Sequence, residues 1–198
     1  MNKLPIVKIQ VGADLNSQLL HHIDSLRYNF VQANNNYLTD SYNLLEDEKF
    51  STIKNLITVA LDDYSDNVCG MKQKLKITQS WIARTKVGGA HSLHNHPNSL
   101  FSGVYYISCP DQSPLNFYFE NGLFRDFKFD VDYYQQTEYN KTCVPIYPCT
   151  GDIVIFPSWL NHSVAVNPGP KERISLSFNT WLSGNLGEHH FFPAGLRL

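Results

Sequence analysis

Surplus charge is missing from this sequence. Sixteen Lys and Arg stand against 18 Asp and Glu in 198 residues, leaving a net charge of −2 and a pI of about 6.4. That balance gives no support for a general binder of long nucleic acid or of anionic membranes, because both recruit proteins through their own negative charge, though it leaves room for a local basic patch. Long hydrophobic runs are missing too. No apolar stretch approaches the roughly 20 residues that cross a bilayer, and Met1-Asn2-Lys3-Leu4-Pro5 does not lead into the apolar core of a secretory leader. A cytoplasmic protein with no membrane partner is the expectation. Cysteine is sparse and scattered: Cys69, Cys109, Cys143 and Cys149 form no Cys-x-x-Cys pair, which removes zinc-ribbon and thioredoxin readings. There is no internal repeat and no low-complexity tract.

What is present is a core and a bias towards strands. The hydrophobic fraction of 42% suits one globular domain spanning residues 1–198, and 12 Phe and 11 Tyr favour β structure. Val7, Ile9 and Val11 alternate with Lys8 and Gln10, so residues 4–11 read as a strand. Leu15, Leu19, Leu20, Ile23, Leu26 and Phe30 recur at spacings of three and four, which predicts a helix over 14–30. Residues 31–43, rich in Asn, Tyr and Ser, read as a loop. A second helix is predicted over 45–64, burying Phe50, Ile53, Leu56, Ile57, Ala60, Leu61 and Tyr64, with Glu46, Asp47 and Glu48 suiting its dipole. After Gly70 the period drops to two. Leu75, Ile77, Gln79, Trp81 and Ala83 alternate with mostly more polar residues, and further strands are predicted at 102–108, 115–119, 152–156, 163–166 and 173–181. The stretch 121–150 is less regular and reads as an insertion or a lid. Supporting helices over about 12–70, followed by strands over about 74–182, predict an α+β protein. Its β part is a jelly roll or double-stranded β-helix, the cupin-like architecture.

Three histidines fall within six residues, His91, His94 and His96, and a fourth, His162, follows Phe156-Pro157-Ser158-Trp159. Imidazole is the commonest side-chain ligand for transition metals. Any one of these histidines has an ordinary alternative in a polar loop or a satisfied core. His94 and His96 are two apart, however, so on an extended segment they share a face. A jelly roll can bring His162 to them from a distant strand, and three ligands leave positions open on an ion, unlike a closed structural zinc site. Arg173, beside apolar Ile174 and Leu176, enters a predicted strand. An arginine inside a sheet needs a carboxylate, and its fork suits a bidentate one. That partner can be an Asp or Glu of the chain or a ligand. Ser175, two residues on, faces the same way.

Several stretches carry a family resemblance: Ser80-Trp81 with Gly88, His94-Asn95-His96-Pro97-Asn98-Ser99, Ser102-Gly103-Val104-Tyr105-Tyr106, the run from Gly151 to Trp159, His162, and the run from Glu172 to Asn179. Across roughly residues 78–182 the chain resembles the Fe(II)- and 2-oxoglutarate-dependent oxygenases, and within them a group from bacteria and their viruses related to the prolyl hydroxylases. The resemblance implies a double-stranded β-helix with supporting helices and iron in a His-x-Asp/Glu…His triad, whose first histidine is His94 and last is His162. It assigns the far carboxylate of 2-oxoglutarate to Arg173 and Ser175; Tyr106 and Asn116, on neighbouring predicted strands, are further candidates for contact with the cosubstrate, a packed aromatic being the ordinary alternative for Tyr106. It also implies that dioxygen and 2-oxoglutarate are consumed, that succinate and carbon dioxide are released, and that a substrate is hydroxylated. The chain departs from the pattern at one point: His96 stands where the carboxylate is expected. Three neutral imidazoles leave iron one more net positive charge, which alters redox potential and metal preference. His96 is expected to ligate; the alternative puts a water or a substrate group in its place. His91 is expected beside the ligands or facing substrate.

The rival is a metal-binding cupin that does not use 2-oxoglutarate. His94-x-His96 and the Gly151, Pro157, His162 series suit cupin motifs, but the glutamate expected soon after His96 is missing and Arg173 has no cupin role. Nothing in the sequence identifies the primary substrate. Jelly-roll enzymes often form homodimers, yet no residue here marks an interface.

Overall fold

The computed structural model describes residues 4–12, 17–110, 113–118, 132–137, 140–186 and 196–197. The strands are β1 (Val7–Gln10), β2 (Tyr28–Val31), β3 (Asn36–Thr39), β4 (Lys74–Thr85), β5 (His91–His94), β6 (Phe101–Ser108), β7 (Leu115–Tyr118), β8 (Cys143–Ile146), β9 (Asp152–Pro157), β10 (Asn161–Val164), β11 (Arg173–Ser183), β12 (Asn185–Leu186) and β13 (Leu196–Arg197). The helices are α1 (Ser17–Ser25) and α2 (Ser51–Asp63). Seven strands form one sheet in the order β1-β9-β6-β11-β4-β3-β2, and four form a second in the order β5-β10-β7-β8, with β12 and β13 paired apart. Every neighbouring pair in these sheets is antiparallel. Two facing antiparallel sheets with helices outside the larger one are the expected double-stranded β-helix.

The period of two divides the large sheet between two cores. Leu176, Phe178, Ile153, Ile155, Tyr105 and Ile82 point outward and are covered by Ile23, Phe50, Ile53, Ile57, Leu61 and Tyr64 of the helical segment. Tyr106, Val154 and Phe156 point inward and meet Leu115, Phe117 and Leu160 between the sheets. Each such side chain contributes about 1.5–3 kcal/mol by leaving water. Strand β11 carries both patterns at once: Ile174, Leu176 and Phe178 face the helices, while Arg173, Ser175 and Ser177 line the space between sheets. One apolar side anchors the strand and the other is free for polar work.

Gly103 is where this packing is tightest. It pairs with Phe178 across β6 and β11, and the Phe178 ring lies against its bare backbone where a Cβ would stand. Gly103→Ala is expected to lower stability by about 1–3 kcal/mol, the usual cost of overfilling a packed core. Urea melts check this; an unchanged midpoint would refute the close packing.

The helical segment departs from expectation in two places. The helix predicted over 14–30 stops at Ser25, and its predicted start at Asp14 lies outside the described residues. Tyr28–Val31 is a strand instead, paired with Asn36–Thr39, so the predicted loop 31–43 contains half of a hairpin. Aromatic and β-branched Tyr28, Phe30 and Val31 favour the strand. Asn35, in the left-handed region at φ 49°, supports the reversal, as Asn readily does. Phe30 is therefore exposed, stacking at 5.1 Å on Tyr37, rather than part of a buried helix face. The second helix begins at Ser51, not 45, after two short 3-10 turns. There Asp47 accepts the Lys49 backbone N–H at 3.0 Å, so the acidic run caps a turn. The predicted strand 163–166 lies two residues earlier, at Asn161–Val164. Residues 121–131 and 138–139 of the predicted insertion over 121–150 lie outside the described residues; Cys143–Ile146 within it is β8. Among the described residues no helix is long and apolar enough to cross a membrane.

Candidate metal centre and anion pocket

The small sheet holds the histidines. His162 of β10 is the cross-strand partner of His94 of β5, with ring centroids 4.3 Å apart. β5 ends at His94, and His96 follows in the connection to β6. Its own N–H donates to the Ser158 carbonyl at 2.9 Å. A buried hydroxyl chain pins that connection further: Ser158 Oγ donates to Ser99 Oγ at 2.8 Å and lies 2.7 Å from Ser102 Oγ, which donates to Asn179 Oδ1 at 2.8 Å. The His96 ring stands 5.2 Å from His94 and stacks 5.1 Å from His162. One ring nitrogen from each of the three lies within 4.8 Å of the others, and among the described residues no carboxylate joins the group.

Backbone carbonyls orient two of these rings. His94 Nδ1 lies 2.7 Å from Ser92 O and His162 Nδ1 lies 2.9 Å from Leu160 O. Each Nδ1 therefore carries the proton and donates, leaving Nε2 as a lone pair aimed at the shared centre, the usual tautomer of a metal ligand. His96 Nε2 lies 3.3 Å from His162 Nε2. The His162 Nε2 lone pair and this His96 nitrogen are close enough to share one cation. Burial first, then the His94 imidazole, pushes His96 down to about 4. Burial also pushes His162 down to about 3, against the pull of its Leu160 hydrogen bond. Both rings are neutral and ready to ligate at neutral pH.

The histidines open into a cavity of about 330 Å³ between the sheets. Arg173 lies in its wall, 1% exposed, and among the described residues neither Nη1 nor Nη2 has a hydrogen-bond partner. Its sequence neighbour Glu172 is committed to the opposite side of β11, where it accepts from Arg84 Nη2 at 2.6 Å and Nε at 2.9 Å. Among the described residues no carboxylate pairs with Arg173, so the alternative of an internal partner finds no support. A buried guanidinium left without acceptors is costly, of order several kcal/mol. Two unsatisfied donors on one planar group suit an anion with two oxygens.

Ser175 and Ser177 share this wall, as the period of two requires. Tyr106 pairs with Ser175 in register and also lines the cavity; burial raises its phenol pKa, so its hydroxyl stays protonated. Asn116 is a correction. It sits between Leu115, which lines the cavity, and buried Phe117, and its partner on β10 is Ser163, between His162 and Val164, both of which line it. By alternation its side chain lies on the outer face of the small sheet, away from the cavity. The expected pairing of His94 with His96 was drawn from a continuous strand; the structure reaches it through a turn held by Ser158. Two aromatic residues outside the predicted site also line the cavity: Trp81 lies 5.8 Å from the His96 ring and 5.7 Å from Tyr42. Ser80-Trp81 was visible as a motif, but nothing local in the sequence tied Tyr42 to it.

Comparison with known proteins gives a consistent picture. The family model described as "Putative 2OG-Fe(II) oxygenase" matches residues 79–179. No curated protein matches the sequence. An oxidoreductase of the 2OG-Fe(II) oxygenase family from Burkholderia pseudomallei superposes with a TM-score of 0.59 at 16% identity, covering 89% of this chain and 84% of its own. HygX from Streptomyces hygroscopicus, solved with nickel, 2-oxoglutarate and hygromycin B, gives 0.56 at 11% identity, covering 89% and 82%. A prolyl hydroxylase from Trichoplax adhaerens, in complex with a hypoxia inducible factor peptide, gives 0.59 at 13% identity, covering 89% and 83%. At such identities these likenesses concern the fold.

Proposed function

This chain belongs to the 2OG-Fe(II) oxygenase family, and from that premise we propose that His94, His96 and His162 hold its ferrous ion while Arg173 and Ser175 hold 2-oxoglutarate. When bound, the iron and cosubstrate supply the oxidising chemistry, coupling decarboxylation to succinate and carbon dioxide with hydroxylation of a substrate by dioxygen. The single observation that carries the reading is the buried, unpaired guanidinium of Arg173 in the same cavity as three convergent imidazoles. A cupin without 2-oxoglutarate leaves that charge unexplained. The nickel and 2-oxoglutarate found in the similarly folded HygX support the same choice of ligands.

Each residue has a definable task. His94 and His162 present Nε2 because Ser92 and Leu160 carbonyls occupy their Nδ1 protons. His96 completes a wholly neutral set, so the metal keeps its full charge until an anionic cosubstrate arrives. The Arg173 fork receives the far carboxylate with two donors, and the Ser175 hydroxyl adds a third on the same strand face. Tyr106, kept protonated by burial, offers a neutral donor beside them. Trp81 and Tyr42 line the cavity beside His96 and limit water around it.

Anaerobic titration of the Fe(II)-loaded protein with 2-oxoglutarate tests the reading. A weak visible charge-transfer band of an iron–keto-acid chelate is expected to grow to one equivalent. His162→Ala is expected to leave no band and only background iron after desalting. Full iron occupancy without any band in the wild type would overturn the 2-oxoglutarate assignment.

A further inference from the structure

His91 is the member of the histidine cluster that the metal set leaves over. On an ideal strand, residues three apart point to opposite faces, so His91 should face away from His94. The register between β5 and β10 shifts instead: His162 pairs with His94 and Val164 with His91, so that Ser163 alone lies opposite two residues, Ser92 and Leu93. This bulge turns His91 back to the cavity side, where it lines the same wall as Arg173. Its position there is fixed from two directions. Thr85 is the cross-strand partner of Arg173, and Thr85 Oγ1 lies 3.3 Å from His91 Nε2. Asn36, fully buried on β3 and also paired with Thr85, places its Nδ2 3.1 Å from His91 Nε2.

The donor count assigns the ring proton. Asn36 Nδ2 donates one hydrogen to the Ala90 carbonyl at 3.1 Å, which fixes the orientation of the amide. Its second hydrogen and the Thr85 hydroxyl both converge on Nε2, making that nitrogen the acceptor. A neutral imidazole then carries its proton on Nδ1. Asn36 Nδ2 also lies 3.4 Å from Nδ1, but two donors cannot satisfy one another. Among the described residues no acceptor faces this Nδ1–H. Burial, then the charge of Arg173, holds His91 neutral, down to about 3. One wall thus presents three donors without acceptors, Nη1 and Nη2 of Arg173 and Nδ1 of His91, carrying a single positive charge in all.

We propose that His91 is a second cosubstrate-binding residue, whose Nδ1–H donates to the far carboxylate of 2-oxoglutarate beside Arg173 and helps select a dicarboxylic 2-oxo acid over a monocarboxylic one. This rests on the assignment of the Arg173 pocket to that carboxylate. One carboxylate matches one guanidinium in charge, and its four lone-pair sites take the two Arg173 nitrogens, the Ser175 hydroxyl and the His91 Nδ1–H. A protonated histidine would double the charge; a neutral one adds direction alone.

The test compares the affinities of the Fe(II)-loaded protein for 2-oxoglutarate and for pyruvate under anaerobic conditions, by titration calorimetry alongside the chelate band. His91→Phe keeps a flat ring and removes the donor. It is expected to weaken 2-oxoglutarate about tenfold, the scale of one hydrogen bond to a charged group, with pyruvate affinity and iron stoichiometry unchanged. His91→Asn, which restores an N–H near Nδ1, is expected to recover most of the loss. His91→Leu reads the same ratio should His91→Phe not fold. Equal 2-oxoglutarate affinity in wild type and the donor-free variants, with the band intact, would overturn the role of His91 alone. So would an equal loss for pyruvate. A wild type that binds iron but no 2-oxoglutarate would overturn both this inference and the assignment beneath it.

Discussion

Arg173→Met makes the ligand-free protein more stable and nearly blind to 2-oxoglutarate. The guanidinium is buried with both terminal nitrogens unpaired, so the folded protein carries an uncompensated desolvation cost until an anion arrives. Replacing buried charge with an apolar chain of similar length commonly gains about 1–4 kcal/mol. For a chain of this size each kcal/mol raises Tm by about 2–4 °C. The same substitution removes the partner of a buried carboxylate, a loss of about 2–5 kcal/mol in binding, or roughly 30- to several-thousand-fold in Kd. Adding 2-oxoglutarate to the iron-loaded proteins is therefore expected to stabilise the wild type, in proportion to ligand excess over Kd, and to leave Arg173→Met unmoved. Thermal melts of both proteins with and without ligand read all four terms. A ligand-free Arg173→Met protein less stable than wild type would mean that Arg173 is paired after all.

Acid is the second strong lever. His91, His96 and His162 titrate near 6.5 when unfolded and at about 3, 4 and 3 when folded, burial being the first cause in each. The unfolded chain binds protons below 6.5 that the folded chain refuses. The contribution of these groups is thus intact above pH 6.5 and is lost as pH falls towards 4 and then 3. Each histidine contributes a slope of up to about 1.4 kcal/mol per pH unit in that window. His91 and His96 keep some solvent contact, which reduces their share, but the sum over about two pH units is still several kcal/mol, comparable to the whole stability of a domain. Metal-free protein is expected to show a much lower urea midpoint at about pH 5 than at about pH 7. A midpoint that is flat across this range would contradict the burial of the three rings.

Much of this fold could be read from spacing because spacing is local. The alternation along β4, and the short runs of β6, β9 and β11 bounded by Gly and Pro, placed those strands within one or two residues. The core face of α2 followed from the three–four spacing, and Ile53, Ile57, Ala60 and Leu61 are buried. The end of α1 was not legible, because Leu26 and Phe30 continue a helical spacing that the β2–β3 pairing overrides. Asn116 was misplaced for a similar reason: it is on the expected strand, but which face of that strand meets the cavity depends on its pairing with β10.

The sequence by itself determined the chemical inventory: four histidines, an arginine beside apolar residues, and strands enough to close two sheets around them. It also determined that Arg173 and Ser175 share a face, since two residues along a strand always do. Only the tertiary structure decided which groups meet. It brought His162 opposite His94, held His96 through a turn fixed by Ser158, and sent Glu172 to Arg84 so that Arg173 stood alone. It also bent β5 by one residue, so that His91 faces the arginine. Those outcomes depend on register and bulges between strands tens of residues apart, where backbone pairing and burial over the whole sheet outweigh anything encoded in neighbouring residues.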